Sequence, residues 1–123
     1  MIISAATVLI DQELQKEVWL EIEDGVIRLI NSGTAPEYDL RYEGILIPGF
    51  VDIHCHGGGG KYFASLTDSE IAQVIATHRA GGTVAGLASL VTEPIPNLIS
   101  QIKRLVPFAQ RGEIAGIHLE GPY

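Results

Sequence analysis

Ile45-Leu46-Ile47-Pro48-Gly49-Phe50-Val51-Asp52-Ile53-His54-Cys55 is an apolar run interrupted by Pro48-Gly49, and such a run predicts a strand buried on both faces. It ends on His54-Cys55-His56 and passes into four glycines, Gly57 to Gly60. Downstream, Thr67-Asp68-Ser69-Glu70 has the capping-box pattern, in which the hydroxyl and the carboxylate each satisfy a backbone N–H. Ile71, Val74, Ile75 and His78 then fall on one helical stripe, and Gly81-Gly82 stops that helix. His78 reads as a core histidine with a satisfied ring N–H. Thr83 to Val91 is a second buried strand. Pro94 and Pro96 open the next helix, Pro96 fitting the first turn without losing a needed donor. Leu98, Ile99, Ile102, Leu105 and Val106 form its apolar face, and Pro107 ends or kinks it. Glu113 to Glu120 is a third strand. Strand, helix, strand, helix, strand implies parallel strands joined by right-handed crossovers.

Upstream of this run the period is that of β-structure. Ile2 to Ile10 is apolar and β-branched, and Val18 to Glu23 partly alternates. Asp24-Gly25 then sits between two strand-like runs, a hairpin signal because both residues tolerate positive φ. Val26 to Ile30 is the return strand, and Asn31 to Pro36 is loop by composition. The chain therefore divides into a β-segment over residues 1–45 and an α/β portion over 46–123. Glu13, Glu17, Glu21 and Glu23 read as a solvated strand face.

Composition narrows the function classes. Eight Lys+Arg against 15 Asp+Glu leave a net charge of −7, which argues against nucleic-acid binding, since neutralising phosphates takes clustered basic residues. No apolar run approaches the roughly 20 residues that span a bilayer, so no membrane partner is expected. The apolar opening MIISAATVLI lacks a basic leader, which argues against a secretion signal. Cys55 is the one cysteine, in keeping with a reducing cytoplasm.

On a regular strand His54 and His56 share a face, with Cα atoms about 6.6 Å apart. Two imidazoles at that spacing suit one metal ion; the alternative is a pair of solvent-exposed histidines at a loop end. Asp52 shares their face and would orient an imidazole. Cys55 points the other way, toward the helices. The same parity places His118 and Glu120 together. A carboxylate at the end of a buried strand needs a partner, whether a cation, an Arg or a following helix. Together His54, His56 and Glu120 make a His₂-carboxylate set suited to zinc or another divalent first-row metal. Gly57 to Gly60 with Lys61 lacks the spacing of a phosphate loop and reads as a tight turn beside that set.

With these residues placed, the chain resembles the amidohydrolase superfamily, and within it the N-acetylglucosamine-6-phosphate deacetylase family. Glu23 to Ile27, Leu46 to Gly57 and Gly116 to Pro122 carry the resemblance. It implies the first three strands and two helices of a (β/α)8 metal-dependent hydrolase barrel, preceded by a small β-sandwich segment. It also implies that Glu120 is a metal ligand, that one or two divalent ions bind, and that His54 and His56 permit the second. The substrate class it implies is an amino-sugar phosphate, deacetylated to the amine and acetate. The general-base aspartate, two further histidines and the sugar-phosphate contacts are expected beyond Tyr123, so this amino-terminal part is expected to be inactive alone. Three parallel strands leave open edges, so a homo-oligomer is expected. Another metal-dependent hydrolase of cyclic or linear amides, and a non-catalytic metal-binding or assembly module, remain the alternatives.

Overall fold

Asp24 and Gly25 turn the chain with φ of 52° and 74°, the two positive values a tight two-residue hairpin needs. A second turn of the same kind falls at Asp11 and Gln12, with φ of 49° and 68°. No glycine marks it, so the strand expected to begin at Val18 in fact begins at Glu13. The computed structural model describes residues 1–65 and 67–122, and the chain divides into two units, Met1–Pro48 and Gly49–Tyr123.

The first unit contains β1 (Ile2–Ile10), β2 (Glu13–Glu23), β3 (Val26–Ser32) and β4 (Leu40–Leu46). β1 and β2 are antiparallel, as are β2 and β3, while β4 lies parallel beside β1, so the order is β3-β2-β1-β4. The described residues of this unit thus form one four-stranded sheet. Ala5, Val8, Val18 and Leu20 are its buried core, with Ile10 and Leu46 packed against them. Ile45 and Leu46 therefore close β4, and the apolar run that predicted one buried strand is divided at Pro48-Gly49. Glu13, Glu17, Glu21 and Glu23 are exposed as expected, with Glu17 meeting Arg41 of β4 at 3.3 Å.

The second unit contains β5 (Phe50–Cys55), a short hairpin of β6 (Gly57–Gly58) and β7 (Lys61–Tyr62), α1 (Asp68–Ala80), β8 (Thr83–Leu90), α2 (Ile95–Gln110) and β9 (Gly116–Leu119). β8 is the middle strand, parallel to β5 on one side and β9 on the other. The expected strand-helix alternation and parallel pairing are thus present. Ile71, Val74 and Ile75 of α1 and Leu98, Leu105 and Phe108 of α2 form the core with Ala88 and Leu90 of β8. α2 runs past Pro107 to Gln110, and its buried face is rotated from the expected one. Phe108 is buried while Ile99 and Val106 are exposed.

β5 is not buried on both faces. Among the described residues it is an edge strand of a three-stranded sheet, and Val51 and Ile53 are 68% and 70% exposed. Its glycine turn is tight as expected: Gly59 and Gly60 have φ of 61° and 77°, and a Cβ on Gly57 would lie 2.1 Å from the Lys61 carbonyl oxygen.

The capping box does not form. Thr67 is the extended N-cap of α1 but makes no side-chain bond to the backbone. Its hydroxyl donates to Glu70 at 3.0 Å, and the other Glu70 oxygen receives Lys61 Nζ of β7 at 2.8 Å. Lys61, and then Thr67, hold the Glu70 carboxyl below its usual value. A depressed carboxyl contributes stability above the unfolded value and loses it as pH falls through the folded one. The chain is therefore expected to exceed Glu70→Gln in urea resistance at neutral pH, and the two to converge as pH drops below the carboxylate range. A gap that persists in acid would contradict the ion-pair origin.

Candidate metal centre

β5 and β8 are not in even register. Asp52 opposes Gly86 and Cys55 opposes Ala88, so three steps along β5 face two along β8. Such a bulge re-aims side chains, and it overturns one expectation. Asp52 does not orient an imidazole: its Oδ1 accepts the backbone N–H of His54 at 3.1 Å. Its carboxylate lies within 4.8 Å of Cys55 Sγ and a His78 ring nitrogen, on the side that strict alternation assigned to Cys55 alone. Cys55 is buried as expected, and burial pushes its thiol up from the usual value. His78 is satisfied as expected, its Nε2 lying 3.0 Å from the Gly57 carbonyl.

The bulge leaves the Cys55 N–H to a side chain. Ser89 Oγ of β8 accepts it at 3.1 Å and also meets His118 Nδ1 at 3.1 Å. Ser89 is 2% exposed, so a middle-strand hydroxyl ties both flanking strands at the level of the site. Its only mark in the sequence is a lone polar residue near the end of an apolar strand. Replacing it leaves the buried Cys55 N–H unpaired and frees the half-buried His118 ring, so Ser89→Ala is expected to cost about 1–3 kcal/mol in urea unfolding. An unchanged midpoint would show that neither bond matters.

His54 near the end of β5, His56 just past it and Glu120 just past β9 converge. His54 Nε2 lies 2.9 Å and His56 Nε2 3.0 Å from the same Glu120 oxygen. The two ring nitrogens are 3.0 Å apart. Glu120 is steadied from the middle strand, its N–H donating to the Leu90 carbonyl at 3.1 Å. His118 stands beside this triangle, its ring centroid 5.1 Å from that of His54.

Hydrogen bonding cannot satisfy all three contacts, because a ring nitrogen carries at most one N–H, directed along one line. Three lone-pair atoms aimed at a common point suit a cation. Ligands about 2.0–2.1 Å from a tetrahedral zinc stand about 3.3 Å apart, close to the observed spacing. The donor set, two imidazoles and a carboxylate, fits a divalent ion.

No family model matches the chain. It is 32% identical to N-acetylgalactosamine-6-phosphate deacetylase of Escherichia coli O157:H7, over 89% of this chain and 31% of that protein. A solved N-acetyl-D-glucosamine-6-phosphate deacetylase from Mycobacterium smegmatis superposes with a TM-score of 0.90 and 42% identity, over 100% of this chain and 36% of that one. The chain is similar throughout to the amino-terminal third of these deacetylases. The deacetylase from Thermotoga maritima shares the fold, with a TM-score of 0.79 at 23% identity. A mutant form of the mycobacterial deacetylase has been solved in complex with N-acetyl-D-glucosamine-6-phosphate, and this chain is 42% identical to it. No helix of the described residues is long and apolar enough to cross a membrane.

Proposed function

We propose that these residues are the metal-holding opening of a (β/α)8-barrel deacetylase that converts N-acetylglucosamine 6-phosphate to glucosamine 6-phosphate and acetate in the cytoplasm. In this reading the unit of parallel strands begins the barrel and the four-stranded unit belongs to a small β-sandwich. The observation that carries it is the convergence of His54, His56 and Glu120 within 3.0 Å, in a chain similar throughout to the start of such enzymes.

His54 Nε2, His56 Nε2 and a Glu120 oxygen hold a divalent cation, zinc by donor type, with one or two ions bound. Bound there, the cation supplies Lewis acidity toward the amide carbonyl and lowers the pKa of water. Ser89 holds His118 by its Nδ1, steadying the imidazole beside His54. We assign no general base among these residues, and expect the 123-residue chain alone not to turn over.

A second reading has its own observation: curated relatives from Escherichia coli and Shewanella act, by their names, on N-acetylgalactosamine 6-phosphate. Acetate release from both sugar phosphates, by this chain and by a longer polypeptide beginning with it, tests the proposal. Metal-dependent release by the longer form alone is expected, fastest with the glucosamine derivative. Faster release from the galactosamine derivative selects the second reading, and release from neither, with metal bound, selects a non-catalytic module.

A further inference from the structure

A second set of ligand atoms lies outside that centre. Asp52, Cys55 and His78 each offer one, all within 4.8 Å of one another. The β5 bulge brings Asp52 round to Cys55, and the last turn of α1 supplies His78. His78 Nε2 is 3.0 Å from Cys55 Sγ, and Sγ is 3.4 Å from the Gly57 carbonyl that the same ring nitrogen meets. A sulfur, an imidazole nitrogen and a carboxylate together are the donors of a zinc-class ion, not of magnesium or calcium.

Space is the second observation. All three residues line one cavity of about 30 Å³, enough for about one water. Arg79 and Glu113 line it too, one charge of each sign, so the wall adds no net repulsion to a cation. Gly58 keeps the ring nitrogen clear, since a Cβ there would lie 2.8 Å from His78 Nε2.

We propose that Cys55 Sγ, His78 Nε2 and the Asp52 carboxylate bind a divalent ion of the zinc class, separate from the His54–His56–Glu120 centre. Binding replaces the bonds that both groups make to the Gly57 carbonyl: the thiol proton goes to solvent, the imidazole proton moves to Nδ1 so that Nε2 offers its lone pair, and the ion ties α1 to β5. The site stands on its own geometry and does not depend on the deacetylase reading.

Cobalt(II) titration of the 123-residue chain separates the two centres. Cys55 is the one cysteine, and His54, His56 and Glu120 contain no sulfur. A thiolate-to-cobalt charge-transfer band in the near ultraviolet therefore reports this site alone. The band is expected in the wild-type chain and in Glu120→Gln, absent in Cys55→Ser, and shifted to at least about tenfold higher cobalt in His78→Gln. Visible cobalt bands without the sulfur band, even at excess metal, would sink this proposal and leave the first centre standing. Zinc X-ray absorption of the wild-type chain needs no variant. Sulfur among the nearest scatterers supports the site, and only nitrogen and oxygen overturns it.

Discussion

Glu120→Gln in the 123-residue chain is expected to weaken divalent-metal binding at the His54–His56 centre by about 100-fold or more, read by competition with a metal-indicator dye. Loss of a residue that merely supports a ligand costs about 10–100-fold, and Glu120 is placed as a ligand itself. The substitution keeps shape and removes the charge. It also keeps the backbone tie from Glu120 N–H to the Leu90 carbonyl, so the far-ultraviolet circular dichroism should not change. With the carboxylate gone, two imidazole nitrogens 3.0 Å apart remain, a donor pair without a negative charge to offset the desolvation of a cation. Affinity unchanged in a folded variant would leave the three groups as a hydrogen-bonded cluster and nothing more. Cobalt read at the sulfur band is the internal control, because that band belongs to Cys55.

Leu90→Ala is expected to give the largest loss of stability, about 2–5 kcal/mol in urea unfolding of the parallel unit. Leu90 is fully buried in the middle strand, among residues from both crossover helices. Removing its side chain leaves a cavity that rigid strands on either side cannot close. The same residue accepts the Glu120 N–H through its carbonyl, so relaxation there should also loosen the metal cluster. A midpoint shift equivalent to less than about 1 kcal/mol would mean that the packed layer is softer than its burial implies. Leu14, exposed on β2, is the matched control, and its replacement by alanine should do little.

Much of the parallel unit was legible because its signals are local. The stripe of Ile71, Val74 and Ile75, the glycine stop after Ala80, and the apolar run from Thr83 each report one element's own period. Neighbouring residues also sufficed for the Asp24-Gly25 turn. Asp11-Gln12 was missed because its two positive φ values are held by the strand pairing on either side, with no glycine to announce them. The capping box failed for a related reason. Thr67 and Glu70 have the right spacing, yet Lys61, from the preceding hairpin, takes the carboxylate away.

What the sequence by itself determined was which residues alternate, which recur at helical spacing, and that two histidines and a glutamate end two strands of the same sheet. Those properties depend on separations of a few residues, within reach of one element's geometry. The tertiary structure alone decided that β4 lies parallel beside β1, that β5 is an exposed edge, and that a bulge turns Asp52 toward Cys55 and His78. It also made Ser89 the tie between β5 and β9. Each of these is a pairing between segments far apart in the chain, set by which backbone groups find partners once the sheet assembles, and no local pattern records that choice.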